Sequence, residues 1–270
     1  MLNRKTLFAY CRNAPFGGQL LQAQVEGVEA ILDAWNSSGA TDLRWLAYIL
    51  ATAFHETAGT LQPIAEYGRG KGKKYGVKGK YGQVPYGRGF VQLTWDVNYE
   101  RADKELGLGG KLLKNFDLAM HPDIAGKIIV TGMVEGWFTT KRLSQYFNAK
   151  ADDPVGARAI VNGKDKAKLI AGYHEAFLGA LKAADTDTPQ PKDVTAEAAK
   201  PDDVRPAESK SLWAIIITFL SGGGLSAFTA IESWHGVAAL ALLLIAAGIG
   251  VWLVATGRVQ IKRLLDGVAG

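Results

Sequence analysis

Residues 41–59 read "TDLRWLAYILATAFHETAG", and this stretch predicts the helix around which the fold is built. Its apolar side chains recur at spacings of three and four residues, which is the pattern of one helix face. They are Leu43, Leu46, Ala47, Leu50, Ala53 and Phe54. Thr41 or Asp42 is suited to cap the start of the helix, and Gly59 is suited to end it.

Glu56 stands at the end of this apolar run, away from the centre of the stripe. It shares a flank of the predicted helix with Trp45, Ile49 and Thr52. Apolar neighbours favour a protonated carboxyl, which is the form that a general acid needs. A structural carboxylate paired with His55 or an arginine explains the position equally well. A zinc-protease H-E-x-x-H motif is excluded, because Gly59 occupies the place of the second histidine.

The rest of residues 1–182 predicts a mainly helical unit with a small β lobe. Further helical patterns cover residues 20–35, 98–106, 123–137, 140–148 and 154–181. Residues 66–95 are rich in glycine and tyrosine with short β-prone pieces, so they predict a small hairpin lobe. The one cysteine, Cys11, excludes an intramolecular disulfide framework and a cysteine-rich zinc site.

Two segments of different composition follow. Residues 183–210 hold four prolines, many charges and no aromatic residue, which predicts a linker. Residues 212–231 and 236–256 are uncharged apolar runs, each near the roughly 20 residues that cross a bilayer as a helix. Residues 211–270 therefore predict a transmembrane helical hairpin that contacts lipid through residues 211–257.

Charge and the amino terminus give expectations about location. The amino terminus has no apolar run long enough for a signal-peptide core, so synthesis is expected in the cytoplasm. Arg205 and Lys210 precede the first predicted span, and three cations follow the second, so the positive-inside rule predicts that both ends face the cytoplasm. The expected location is the inner membrane of a host cell, with action on the cell wall or periplasm.

The basic charge is concentrated in the first segment. Residues 1–182 carry 24 Lys and Arg against 17 Asp and Glu, whereas residues 183–210 carry 4 against 7. Within the first segment, "RGKGKKYGVKGK" at 69–80 holds six cations and no acid. Such a run suits an anionic polymer, either nucleic acid or an acidic cell-wall glycan, and a solvated flexible loop is the alternative.

A second carboxyl and a polar, aromatic stretch follow the predicted helix. Glu66 lies ten residues after Glu56, in more solvated surroundings, and two carboxyls in unlike surroundings can act as acid and base across a glycosidic bond. The stretch "YGRGFVQLTWDVNY" at 86–99 combines hydrogen-bonding groups with aromatic faces, as sugar-binding sites do. A core β-strand with a polar face is the other interpretation of this stretch.

Five motifs in order resemble one family: "AFHETAG", "EYGRGKGKKYG", "YGRGFVQLTWDVNY", "GMVEGWFTTKRLSQYF" and "ARAIVNGKDKA". They are similar to the phage and prophage lysozymes (endolysins) of the chitinase-like glycoside hydrolase family 19, over about residues 1–182. The resemblance implies a lysozyme-like, mainly helical α+β fold and cleavage of β-1,4 links between amino sugars with inversion. It implies no cofactor and no metal. The chain lacks the disulfide cysteines of the plant chitinases.

The resemblance also implies roles for particular residues. Glu56 corresponds to the general acid, Glu66 to the general base, and Thr94 to the hydroxyl that helps to hold the attacking water. The predicted substrate-binding residues are His55, Tyr86, Arg88, Gln92, Trp95, Asn98, Tyr99 and Asn162.

The expected function is that of an endolysin that hydrolyses peptidoglycan as a muramidase for host cell lysis. The basic run at 69–80 favours the anionic wall polymer over uncharged chitin. No nucleic acid partner is expected. The bilayer and a separate holin are the other expected partners. The alternatives are a chitinase, a glucosaminidase, a lytic transglycosylase, and a membrane-anchored peptidoglycan-binding or holin-like protein without catalysis.

Overall fold

The computed structural model describes residues 1–203, and these residues form a mainly helical structure with a small two-stranded sheet. The α-helices are α1 (Arg4–Asn13), α2 (Gln22–Ser38), α3 (Leu43–Glu56), α4 (Asp96–Glu105), α5 (Lys111–Lys114), α6 (Pro122–Glu135) and α7 (Ala167–Ala184). The strands are β1 (Ile64–Ala65) and β2 (Arg88–Gly89). Short 3-10 helices cover Phe116–Met120, Leu143–Gln145, Gly156–Ile160 and Glu197–Ala199.

Helix α3 is the central helix, as its apolar pattern predicts. Asp42 caps it, because its Oδ1 accepts a hydrogen bond from the Arg44 backbone N–H at 2.9 Å. Every residue from Leu46 to Ala53 is buried, so the helix is enclosed on more than the predicted stripe. The helix ends at Glu56, and Thr57 closes it by donating its hydroxyl to the carbonyl of Ala53 at 2.7 Å.

The other long helices pack around α3 in pairs. Helix α7 packs against α3 and α1, and α2 packs against α6. The contact between α2 and α6 needs a glycine at position 126, because a Cβ there would lie 2.6 Å from the carbonyl oxygen of Ala30. A larger side chain would force these two helices apart.

The predicted hairpin lobe at 66–95 is much smaller in the structure. Strands β1 and β2 pair antiparallel, with Ile64 opposite Gly89 and Ala65 opposite Arg88. The residues between the strands form turns, because their backbone bonds close locally; the Lys73 N–H donates to the Gly70 carbonyl at 2.9 Å. Gly70 has a φ of +76°, a left-handed conformation that extended strands do not use. The prediction of a small β element is confirmed, and its extent was wrong.

Two of the predicted helices are also wrong in extent. Only a 3-10 turn at Leu143–Gln145 forms within residues 140–148. The predicted helix at 154–181 is divided into the 3-10 helix Gly156–Ile160 and helix α7. The chain turns between them, and Lys166 at the start of α7 is left-handed with a φ of +58°. The helices predicted at 20–35, 98–106 and 123–137 correspond to α2, α4 and α6.

The first part of the predicted linker folds onto the helical unit. The compact unit runs from Met1 to Lys200, beyond the predicted boundary at residue 182. Thr6 donates its hydroxyl to Gln190 Oε1 at 3.1 Å, and Arg12 Nε donates to the Ala198 carbonyl at 2.8 Å. Residues 183–200 therefore belong to the same compact unit as the helices.

The remaining predictions for the tail lie outside the described residues. They are the end of the linker and the membrane spans at 212–231 and 236–256. Among residues 1–203, no helix combines the length and the apolar composition that crossing a membrane requires.

A fragment of residues 1–182 is expected to be less stable than a fragment of residues 1–200. The shorter fragment loses three hydrogen bonds that Thr6 and Arg12 donate to Gln190, Ala198 and Lys200, and it loses the buried Ala184. At about 1 kcal/mol per hydrogen bond, the free energy of unfolding should fall by about 3 kcal/mol. This corresponds to a melting temperature lower by roughly 6–12 °C for a chain of this size. Calorimetry of the two fragments measures the difference, and equal melting temperatures would show that this contact contributes nothing.

Acid is expected to destabilise the helical unit through His174 on α7. Its side chain is 4% exposed and stacks on Phe147 at a centroid distance of 5.2 Å. Burial lowers the pKa of His174 below its ordinary 6.5, so the folded protein holds this ring neutral while the unfolded chain takes up a proton. The contribution of the neutral His174 ring to the free energy of unfolding is therefore complete above pH 6.5. It is lost as the pH falls through the lower pKa of the folded state.

Urea unfolding at pH 7 and pH 5 tests this expectation. The wild-type protein should lose more stability between the two values than His174→Phe, which has no proton to bind at this position. His121→Gln is the matched control, since His121 is largely exposed beside Asp123. An equal loss in wild type and His174→Phe would exclude His174 as the acid-sensitive group.

Candidate active site

A cleft of about 390 Å³ opens where the end of α3 faces the turn between β2 and α4. Its remaining wall is the short segment that follows the 3-10 helix Gly156–Ile160. The lining residues are Glu56, Tyr75, Val91, Gln92, Leu93, Thr94, Trp95, Asn98, Phe138, Val161 and Asn162. Six of the residues predicted from sequence therefore meet in one cleft, namely Glu56, Gln92, Thr94, Trp95, Asn98 and Asn162.

Glu56 reaches the cleft as the last residue of α3, and its carboxyl is paired with an arginine. Arg158 Nη1 donates to Glu56 Oε1 at 2.7 Å, and the side chains are 4% and 18% exposed respectively. The sequence left two surroundings open for Glu56, apolar neighbours or a charged partner. The alternative of a carboxylate paired with an arginine describes the contact. Glu56 Oε2 has no hydrogen-bond partner within residues 1–203 and remains available to the cleft.

Arg158 is the main site residue that the sequence analysis missed. It lies on the 3-10 helix Gly156–Ile160, and its Nε donates to the carbonyl of Asp165 at 3.2 Å. It is 102 residues from Glu56 in the chain, so no local periodicity connects the two. The one available signal was its place in "ARAIVNG", just before Asn162 in the last of the five motifs.

The wall opposite Glu56 is built from polar groups that the backbone holds in place. Thr94 donates its hydroxyl to the Gln92 carbonyl at 2.7 Å, so the oxygen keeps lone pairs for an incoming donor. Gln92 donates to the Ile64 carbonyl at 3.1 Å, and Asn98 donates to the Thr94 carbonyl at 2.7 Å. Trp95 is 45% exposed and offers an aromatic face at the rim. This wall has the mixture of hydrogen-bonding groups and aromatic surface that sugars require.

Glu66 lies beside this wall and does not line the cleft itself. Its Oε2 accepts a hydrogen bond from the Gly87 N–H at 3.3 Å. A Cβ added at Gly87 would lie 2.9 Å from Gln92 Oε1 and 3.4 Å from Thr94 Oγ1. Gly87 therefore contacts Glu66 through its N–H and packs against Gln92 and Thr94 through its Cα, and a side chain there would collide with Gln92.

Tyr75 is a second residue that the sequence analysis missed. It lies in the basic run at residues 69–80, which we call the basic loop. It lines the cleft and donates its hydroxyl to Glu66 Oε1 at 3.2 Å. Its ring packs edge-on against Trp95 at a centroid distance of 5.3 Å. Burial raises the pKa of Tyr75, and the neighbouring Glu66 raises it further, so the phenol stays protonated and remains a donor at neutral pH.

Removing this hydroxyl by Tyr75→Phe is expected to lower kcat about tenfold, because the carboxyl of Glu66 loses a donor worth about 1.5 kcal/mol. Steady-state hydrolysis of peptidoglycan measures the change. Tyr67→Phe is the control, since Tyr67 is 84% exposed two residues before that loop. A Tyr75→Phe protein with wild-type kcat would mean that this hydrogen bond has no part in the reaction.

Four of the predicted substrate-binding residues lie outside the cleft lining. Tyr99 is fully buried and stacks on Phe116 at 4.0 Å. Arg88 is 5% exposed, donates to the carbonyls of Val84 and Tyr86, and forms an ion pair with Asp117 at 2.8 Å.

The ring of Tyr86 covers the guanidinium of Arg88 at 3.5 Å. The assignment of Arg88 and Tyr99 as sugar contacts was therefore wrong, because both hold the loop between β1 and α4 together. His55 is half-buried; burial lowers its pKa, and the negative charge of Glu56 acts in the opposite direction. The fourth residue outside the cleft is Tyr86 itself.

The described residues contain no obvious metal site. Within residues 1–203, no group of three or more His, Cys, Asp and Glu side chains is arranged to hold a metal ion. The groups that can act chemically in the cleft are the carboxyl of Glu56, the hydroxyl of Thr94 and, through Tyr75 and Gly87, the carboxyl of Glu66.

Comparison with known proteins gives limited similarities. No protein-family model and no curated protein sequence matches the chain. A bacterial family 19 chitinase of known structure is 25% identical, with a TM-score of 0.39 over 57% of this chain and 84% of that chain. A family GH19, class IV chitinase from Zea mays is 20% identical, with a TM-score of 0.39 over 63% of this chain and 84% of that chain. At this level of superposition, similarity assigns neither a family nor an activity to the chain.

Proposed function

We propose that this protein is a glycoside hydrolase that cleaves β-1,4 bonds of bacterial peptidoglycan as an inverting muramidase. The observation that carries the proposal is the carboxyl of Glu56, held by Arg158 in a cleft opposite Gln92 and Thr94. A carboxyl with one oxygen fixed and the other free, facing a polar and aromatic wall, is suited to proton transfer on a bound sugar.

Glu56 is the general acid in this proposal. Arg158 binds Oε1, so the proton is carried on Oε2, which has no partner within residues 1–203. Transfer of that proton to the glycosidic oxygen breaks the bond to the leaving sugar and leaves a carboxylate. The guanidinium of Arg158 then stabilises this negative charge through a charge-assisted hydrogen bond.

Glu66 is the general base, acting through a water molecule. Thr94 Oγ1 donates to Gln92 and so accepts a hydrogen bond from the water. The water attacks the anomeric carbon from the face opposite the leaving group, and its proton passes to Glu66. Tyr75 and the Gly87 N–H hold the carboxyl of Glu66 in place. Attack from the opposite face produces inversion.

Peptidoglycan is favoured over chitin by the charge beside the cleft. Of the six cations at 69–80, only Lys80 forms an ion pair within residues 1–203, with Glu100 at 2.8 Å. The other five lie within six residues of Tyr75 in the sequence, and Tyr75 lines the cleft. Cations without partners attract an anionic polymer, and chitin carries no charge for them to bind.

The second part of the proposal concerns residues 211–270. These residues lie outside the described part of the chain, and we infer from their two uncharged apolar runs that they anchor the protein in the inner membrane. The protein would then act as an endolysin during lysis of the host cell. Either the hairpin retains the enzyme until a separate holin opens the membrane, or the hairpin itself depolarises the membrane. Expression of residues 205–270 with a membrane-potential dye distinguishes the two, because a maintained potential excludes the holin-like role.

The experiment that tests the catalytic proposal is digestion of purified peptidoglycan by the full-length protein in ¹⁸O-labelled water, followed by mass spectrometry. We expect one ¹⁸O at a MurNAc reducing end. Label at GlcNAc would mean a glucosaminidase, and unlabelled 1,6-anhydro products would mean a transglycosylase. No released fragment, together with retained binding, would mean a binding module. Release of fragments from chitin and not from peptidoglycan would mean a chitinase.

A further inference from the structure

A second cavity of about 690 Å³ lies next to the proposed active site. It is formed by the 3-10 helix Gly156–Ile160, the turn that follows it and the first residues of α7. Three of its lining residues are lysines, namely Lys164, Lys166 and Lys168, and all the others are apolar or glycine. We call this cavity the lysine groove. Its volume falls in the range of about 300–1,000 Å³ that is typical of small-ligand sites.

The positive charge of the lysine groove is not neutralised within the described part of the chain. All three lysines are exposed, and none forms an ion pair within residues 1–203. Asp153 Oδ1 accepts a hydrogen bond from the N–H of Gly156 at 2.8 Å but does not line the groove, and the single acid among residues 163–168 is Asp165, which does not line it either. Its backbone carbonyl is engaged by Arg158 at 3.2 Å. The groove is therefore built to attract negative charge.

The surface between the lysines is apolar. Val155 and Leu169 are 43% and 46% exposed, although large aliphatic side chains are normally covered. Ala159 and Ala167 line the groove with them. None of the lining residues is aromatic, so the groove offers no stacking surface for the bases of a nucleic acid. The ligand chemistry that fits is a short chain with carboxylates and small aliphatic side chains.

The lysine groove and the cleft share one stretch of backbone. Val161 and Asn162 line the cleft, and Gly163 and Lys164 line the groove. The same 3-10 helix supplies Arg158 to Glu56 and Ala159 to the groove. A branched polymer whose sugars lie in the cleft would therefore place a side branch in the groove.

We propose that the lysine groove binds the stem peptide of peptidoglycan. That peptide is rich in alanine and in dicarboxylic amino acids, so its carboxylates match the three lysines and its methyl groups match the apolar surface. This inference rests on the proposed function and extends it, because it assigns the element that recognises the peptide branch and not only the glycan. Chitin, which carries no such branch, leaves the groove empty.

The test compares two substrates, intact peptidoglycan and the same glycan stripped of peptides by an amidase. The variant K164Q/K166Q/K168Q removes the charge of the groove in the full-length protein. The ratio of kcat/KM on intact to stripped glycan should fall about tenfold relative to wild type, from three exposed contacts of about 0.5 kcal/mol each. The control K104Q/K111Q/K114Q removes three exposed lysines that line neither cavity, and its ratio should equal that of wild type.

An unchanged ratio in K164Q/K166Q/K168Q, or an equal fall in the control variant, would overturn the inference. Binding of an alanine-rich tetrapeptide with two free carboxylates, followed by NMR or calorimetry, gives a readout that needs no turnover. Binding that is lost in K164Q/K166Q/K168Q supports the groove even where the wild-type protein cleaves neither substrate. That second result would refute the proposed hydrolase alone, whereas cleavage without tetrapeptide binding would refute the groove alone.

Discussion

The Glu56→Gln protein is expected to bind peptidoglycan and to cleave it about 10³-fold more slowly than wild type, since general acid catalysis contributes about 10²–10⁴-fold. The amide keeps the size of the carboxyl, and its oxygen still accepts the hydrogen bond from Arg158. It has no proton to give to the leaving oxygen. Bond cleavage therefore fails while the cleft, the sugar-binding wall and the overall fold persist.

Two measurements separate this loss from a general defect. Release of reducing ends gives kcat, and pelleting with insoluble peptidoglycan gives binding. Glu105→Gln is the matched control, because Glu105 is an exposed glutamate at the end of α4 and lines no described cavity. Turnover of Glu56→Gln within a few fold of wild type would show that another group donates the proton.

Replacing Arg158 is expected to have the second largest effect, on both activity and stability. Arg158→Ala leaves the carboxyl of Glu56 without its donor and frees the carbonyl of Asp165. Breaking a largely buried pair in this way should lower the free energy of unfolding by about 3 kcal/mol. The value of kcat should fall about 10²-fold, because the carboxylate formed by proton donation is no longer stabilised.

Three measurements distinguish a purely structural role of Arg158 from a role in positioning the carboxyl of Glu56. Arg158→Lys keeps the charge but lacks the planar guanidinium group with its several N–H donors, so its kcat should lie between those of wild type and Arg158→Ala. Added guanidinium, at concentrations well below those that unfold the protein, should restore part of the kcat of Arg158→Ala. The double variant of Glu56→Gln and Arg158→Ala should be no slower than Glu56→Gln alone, because the two residues act as one unit. Additive losses and no rescue would mean that Arg158 only supports the fold.

The sequence predicts the part of the proposed site that is local in the chain better than the part that distant segments form together. The turn that carries Gln92, Thr94 and Asn98 is local in the chain, and its polar groups were identified from a single motif. The contact that organises Glu56 joins residues 102 positions apart. Tyr75 is only nine residues from Glu66, but their hydrogen bond depends on how the basic loop closes and follows from no residue pattern.

The errors also have physical causes. Arg88 and Tyr99 carry groups that suit sugar binding, so composition alone made them candidates. In the folded chain their polar groups satisfy one another and the carbonyls of Val84 and Tyr86 within the core. A buried polar group needs such partners, and a sequence does not state whether those partners belong to the protein or to a ligand.

The sequence by itself determined the central helix, a capping residue at Thr41 or Asp42, the basic loop and the positions of the two glutamates, because these depend on interactions between neighbours in the chain. Only the tertiary structure decided that Arg158 meets Glu56, that Arg88 is internal, that residues 183–200 fold back onto α1, and that three lysines line a groove beside the cleft. Each of those outcomes depends on which distant segments share the space around α3. The packing of α7 and of the 3-10 helix Gly156–Ile160 settles that question, and local periodicity contains no information about it.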